Sequence, residues 1–173
     1  DFHGVNYYDG QGFMVPKSLG VTSAKDLDGA TVCIQVGTTT ELNLADFFRV
    51  NGITYEPVPT EKSSESRSLY QAEACDVYTT DASGLASARS TFADPDAHVI
   101  LPEIVSKEPL GPVTRHGDNQ WGDIVRWTLN ALISAEELGI TKANVAEMAA
   151  APTNNPEINR MMGTEGNLGE MLG

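Results

Sequence analysis

The chain has 173 residues, 40% of them hydrophobic, with 24 acidic against 11 basic side chains and a formal net charge of −13. That length and apolar content fit a folded domain of ordinary size and argue against disorder. The charge argues against nucleic acid and anionic membrane surfaces as partners, since both call for clustered Lys and Arg; it mainly supports solubility.

No apolar run approaches the roughly 20 residues of a membrane-spanning helix. The chain opens at Asp1-Phe2-His3-Gly4 without a Met, which reads as a processed protein or a cut fragment. His3, His98 and His116 lie far apart with no ligand spacing, so no metal site is expected. Two cysteines, Cys33 and Cys75, do not settle the compartment.

In chain order, Val5-Asn6-Tyr7-Tyr8 and Gly12-Phe13-Met14-Val15 are both β-prone, around Asp9-Gly10-Gln11-Gly12. Either a tight hairpin or one long extended segment fits. Ser23 caps a helical turn. Thr31-Val32-Cys33-Ile34-Gln35-Val36 is β-branched and apolar, as in a strand buried on both faces. Gly37 ends it. Thr38 and Glu41 then fit the S/T-x-x-E capping box of a helix over about 39–50, whose Leu44, Phe47 and Phe48 share one face. Asn51-Gly52 stops that helix. Residues 53–58 alternate as a strand, and Pro57 argues for an edge position.

A serine-rich stretch enters a helix near Ser64 that runs to about Ala74. Residues 75–80 form the next strand, and Ala82–Thr91 the next helix. After the Asp94-Pro95-Asp96 turn, 97–101 is a further strand and Val113–Arg115 a short extended piece. A long helix capped by Asp118 reaches Leu138, with Trp121, Ile124, Val125, Thr128 and Leu132 on its apolar face. Trp121 and Trp127 lie six apart and do not share a face; core or interface packing is expected for at least one. Two short helices follow, the second with Asn155 as N-cap and Pro156 at its first position.

Residues 18–108 alternate strand and helix, which predicts an α/β fold: a doubly wound, mostly parallel five-stranded sheet flanked by helices. The helical remainder, 118–173, has no sheet of its own. In such sheets ligands bind at the carboxyl ends of the strands. Two polar groups fall there. One is the Gly37-Thr38-Thr39-Thr40 turn, whose hydroxyls and free helix amides suit an anion, a carboxylate better than a phosphate. The other is Asp81, which can hold an ammonium. The plainer alternatives are a well-capped βα turn and a simple N-cap for Asp81.

A catalytic reading is poorer. G-x-S-x-G is absent and neither Cys has an obvious His partner. The pairs Glu61/Glu65 and Glu136/Glu137 sit in solvated stretches. No cofactor is expected.

The segments Gly4–Val15, Gln35–Leu44, Asp76–Asp81, Lys107–Pro112, the Gly117-Asp118…Trp121…Asp123–Trp127 run and Gly163–Gly166 make the chain resemble the periplasmic solute-binding proteins of ABC importers for polar amino acids, and more closely the general L-amino-acid branch. The resemblance implies a type II two-lobed clamshell that binds free L-amino acids, delivers them to permease subunits, works in the periplasm and is not an enzyme.

It also implies a division. Residues 1–12 would be the end of lobe one and the first hinge crossing, 13–110 lobe two, 111–117 the return crossing, and 118–173 helices of lobe one. Most of lobe one would be missing, so weak binding and self-association are expected. Thr38 and Thr39 would contact the ligand carboxylate with Thr40 and Gly37 adjacent, and Asp81 would bind the ammonium. In the periplasm Cys33 and Cys75 could pair as a disulfide, with buried free cysteines as the alternative. A regulatory amino-acid sensor of the same fold is the competing function.

Overall fold

The computed structural model describes residues 1–172. Its described residues separate into two compact units, one of residues 7–110 and one of residues 1–6 with 111–172.

The larger unit is built on a five-stranded mixed sheet. Its strands are β2 (Gln11–Pro16), β3 (Ala30–Gln35), β4 (Tyr55–Thr60), β5 (Val77–Asp81) and β6 (His98–Ile100), in the order β4-β3-β5-β2-β6. β3 pairs in parallel with β4 and β5, while β2 runs antiparallel to both β5 and β6. Pro57 lies on the edge strand β4, where a missing N–H is tolerated. The opening segment is not a hairpin. β1 (Tyr7–Asp9) pairs with β7 (Glu108–Leu110), and β2 turns to other partners.

Alternate residues of each central strand enter two separate cores, as the period of two requires. Phe13, Val15, Val32, Ile34 and Val77 meet Leu44 and Phe48 of α1 (Thr39–Asn51) on one face. Met14, Cys33 and Tyr78 meet Tyr70 of α2 (Ser63–Gln71) and Leu85 and Ala88 of α3 (Ala82–Ser90) on the other. Burying Phe48 alone stabilises by about 2 to 3 kcal/mol. Gly52, at φ 68°, closes α1 through its amide to Arg49 O, and Ile53 N reaches Phe48 O, as a Schellman stop does. Cys33 is bonded to Cys75, two residues before β5, with their Cα atoms 5.7 Å apart. That link closes a 42-residue separation and restricts the unfolded chain.

The smaller unit is helical: α4 (Asn119–Glu137), α5 (Val145–Ala150), α6 (Pro156–Met162) and α7 (Leu168–Leu172). Asp118 caps α4 through Trp121 N, and Asn155 caps α6 through Glu157 N. The apolar face expected for α4 is not the buried one. Gly122 and Leu129 are buried, with Val125 half-buried beside them, while Trp121, Ile124 and Leu132 stand in solvent. Both tryptophans are exposed, Trp127 at 68%. Periodicity finds the apolar residues of a helix but not what covers them. In this unit the cover is thin: Gly4 lies against Leu129, and His3, bonded to Thr114 Oγ1, lies against Gly122.

Candidate functional site

The site is assembled at the carboxyl edge of the sheet in the larger unit. β3 and β5 are neighbours, with Cys33 opposite Tyr78. Three residues further along each chain stand Val36 and Asp81, so the turn after β3 and the carboxylate ending β5 emerge side by side.

The first wall is the β3–α1 turn. Gly37 has φ 71°, a left-handed backbone that glycine adopts without strain. Thr38 Oγ1 donates to Gln35 O at 2.8 Å and accepts from Glu41 N at 3.3 Å, while Glu41 Oε2 accepts from Gly37 N at 2.8 Å. The capping box therefore consumes the hydroxyl of Thr38 and the amide of Gly37, and leaves the Thr38 amide without a partner among the described residues. The amides and hydroxyls of Thr39 and Thr40 have no partner among the described residues and remain to face an anion.

The second wall is Asp81. Its backbone precedes α3 as an N-cap would, but its side chain makes no capping hydrogen bond. Asp9, over 70 residues earlier, does that work. Its Oδ1 accepts from Ser83 N at 3.3 Å and from Gly10 N at 2.8 Å, its Oδ2 accepts from the Ser83 hydroxyl, and Gly10 O accepts from Ala82 N at 2.8 Å. Gly10 must lack a side chain, because a Cβ there would lie 2.4 Å from Ile104 Cγ2 and 2.5 Å from Ser106 O.

Electrostatics separate the two aspartates. Burial pushes the Asp9 carboxyl up, but bonds from the Ser83 hydroxyl and from the amides of Gly10, Ser83 and Ala82 outweigh it and hold the group below the usual range. Asp81 is pushed up by burial, then by the charge of Glu108 and a carboxyl hydrogen bond with it, then by the charge of Asp9. Glu108 is the ladder partner of Asp9 and accepts from Ser106 Oγ at 2.8 Å. The only ion pairs among the described residues, Arg49–Asp46 and His116–Asp1, involve none of these three carboxylates.

Gln11 ties the walls together. It is fully buried, it is the ladder partner of Asp81, and its Nε2 donates to Thr40 O at 3.1 Å and to Thr79 Oγ1 at 3.0 Å. Thr79 Oγ1 spends its proton on Gly12 O, so it can only accept from Gln11. Asp9, Gln11 and Glu108 are the site-building residues that sequence reasoning missed. The signal was the stretch Asp9-Gly10-Gln11-Gly12, which reads as a flexible turn until its pairing partners are known.

A wall of unpartnered hydroxyls and amides beside an unpaired carboxylate can hold a zwitterion, carboxylate to one side and ammonium to the other. The chain is 65% identical over its whole length to the glutamate/glutamine/aspartate/asparagine-binding protein BztA of Rhodobacter capsulatus, covering 51% of that protein. It is 60% identical over 95% of its length to the general L-amino acid-binding periplasmic protein AapJ of Rhizobium johnstonii, covering 48%. Its homologues are amino-acid-binding proteins of ABC transporters.

An ABC transporter periplasmic binding protein from Brucella ovis, solved with glutathione bound, superposes with a TM-score of 0.86 at 54% identity, over 96% of this chain and 52% of that one. An ancestral arginine-binding protein, at 24% identity and TM-score 0.57, shares the fold. The fold is thus the α/β architecture of type II periplasmic binding proteins. No family model matches the chain. The chain spans about half the length of the curated relatives it matches.

Proposed function

We propose that this chain carries one jaw of a clamp for free α-amino acids, working without chemistry in the periplasm and passing its ligand to the permease subunits of an ABC importer. Thr38 through its free amide and Thr39 receive the ligand carboxylate with Thr40 adjacent, Gly37 holds the turn in shape, and Asp81 receives the ammonium. The observation that carries this reading is the unused Asp81: a carboxylate released from capping duty and pressed against two others is relieved by a cation.

Residues 13–110 serve as lobe two in this reading, 1–12 and 111–117 as crossings, and 118–173 as helices of lobe one. Much of a clamp's grip comes from closing two lobes, so one jaw alone binds weakly. Titration calorimetry with glutamate, glutamine, arginine and leucine tests this; low-micromolar affinity for the isolated chain would overturn the one-jaw reading. The exposed apolar face of α4 favours self-association, which light scattering tests; a monomer at high concentration counts against it.

A second reading extends the first. The γ-glutamyl end of glutathione keeps a free α-amino and α-carboxylate group, so the same two walls fit the tripeptide bound by the Brucella ovis protein. An amino-acid-sensing regulatory domain of this fold would use the same walls, and the genomic neighbourhood separates it from transport.

A further inference from the structure

Next to the clamp, on the sheet face covered by α2 and α3, lies a cavity of about 230 Å³ lined by Ser63, Arg67, Tyr78, Thr80 and Ser87 among others. We propose that this cavity is an anion subsite, with Arg67 as its cation, that receives a second carboxylate on ligands whose head is held by Asp81 and the Thr39-Thr40 wall. It rests on the amino-acid reading above and adds to it a class of ligand: α-amino acids and γ-glutamyl peptides bearing a distal carboxylate.

Three observations carry it. The first is charge. In a chain with 24 acidic side chains and 11 basic ones, Arg67 makes neither an ion pair nor a side-chain hydrogen bond among the described residues, although Glu61 and Glu65 are near in sequence. A guanidinium brings five donors in a planar fork that matches a carboxylate. It is half-buried against the cavity, so its charge is less screened there than at an open surface.

The second is the lining. Hydroxyls dominate it and no carboxylate is among its residues. Ser63 Oγ and the Tyr78 hydroxyl lie 2.9 Å apart, so one of them retains a proton to donate outward. Ser63 opens α2, whose first amides add a positive dipole end to the same wall.

The third is position. Thr80 lines the cavity and is the residue immediately before Asp81 on β5. Strand alternation turns Thr80 to the α2/α3 face, as it does Tyr78 two residues earlier. Gln35, two residues beyond the paired Cys33, falls beside Thr80 on that face and is held by Glu61 O at 3.1 Å. A ligand whose ammonium meets Asp81 thus has a polar path past Gln35 and Thr80 toward Arg67.

The test is NMR titration of the purified protein and of Arg67→Gln and Arg67→Lys with glutamate, its neutral isostere glutamine, γ-glutamylglycine, and γ-glutamylglycine amide. Circular dichroism confirms that each variant is folded. Arg67→Gln should cut the preference for glutamate over glutamine, or for γ-glutamylglycine over its amide, about tenfold, and Arg67→Lys should restore part of it. A loss confined to the first pair assigns the subsite to acidic side chains, and one confined to the second to peptide carboxylates. Both ratios staying within twofold of the unaltered protein would overturn the subsite and leave the clamp standing. Failure of the unaltered protein to bind any of the four ligands would overturn the clamp and the subsite together.

Discussion

The two strand-to-helix turns at the sheet edge solve one problem in opposite ways. The turn after β3 caps its own helix: Thr38 and Glu41 satisfy the amides of Glu41 and Gly37 from within five residues. The turn after β5 borrows its caps from Asp9 and Gly10, far away in sequence. The local solution leaves the outer amides of Thr39 and Thr40 free for an anion. The remote one leaves the Asp81 carboxylate out of the cap and, beside Glu108 and Asp9, in need of a cation. A helix start capped from a distance gives up a folding convenience and gains a functional group.

Breaking the remote arrangement at Asp81 has the largest expected effect. Asp81→Asn keeps the shape and removes the charge, and losing one partner of a close charge pair costs enough to weaken amino-acid binding by about a hundredfold. Calorimetry on the variant checks this. Retained affinity would mean that the ammonium sits elsewhere.

Asp9→Ala comes next. It deletes the capping bonds to Ser83 and a charge at the N-terminus of α3, with an expected loss of about 2 kcal/mol in urea unfolding. It also frees the α3 amides, and Asp81 is the nearest carboxylate able to swing onto them. Asp9→Ala should therefore weaken ligand binding as well as stability. Unchanged affinity in a destabilised protein would show that Asp81 is fixed by something other than Asp9.

Thr38→Ala, in the self-capped turn, should cost about 1 kcal/mol by the same unfolding measurement. Its effect on affinity should be smaller than that of Asp9→Ala, because the Thr38 hydroxyl is spent within the turn while the substitution leaves the backbone amides of residues 38 to 40 in place.

The contrast also explains what could be read from the sequence. The self-capped turn is spelled in contiguous residues, so strand, glycine, capping box and helix were all legible. The five strands of the main sheet and α1 to α4 were legible for the same reason, and Pro57 even marked the edge. Asp81 could be located but not understood, because its freedom depends on Asp9 arriving through the β1–β7 ribbon, a pairing between residues about 100 apart. Gln11 was hidden likewise: a glutamine between glycines reads as loop until the fold places it between Thr40 and Thr79. The α4 face misled for the converse reason, since its apolar stripe is real while Trp121, Ile124 and Leu132 stand exposed.

The smallest expected effect is on the unliganded protein, and it runs opposite to the binding effect. A carboxyl whose folded-state pKa is raised contributes stability that is present below its unfolded value of about 3.9 and is lost as pH rises through the folded value. Asp81 is such a group, because its ionisation meets burial and the charges of Glu108 and Asp9. Asp9 is the reverse: its depressed value gives stability above the unfolded pKa that is lost as pH falls through the folded one. Asp81→Asn removes only the first dependence. The difference in urea midpoint between Asp81→Asn and the unaltered protein should therefore grow in the variant's favour from pH 3.5 to pH 7, and saturating glutamate should erase it by stabilising only the unaltered protein. A difference independent of pH would mean that Asp81 carries no strain when empty, and the argument that its carboxylate is held ready for a cation would fail.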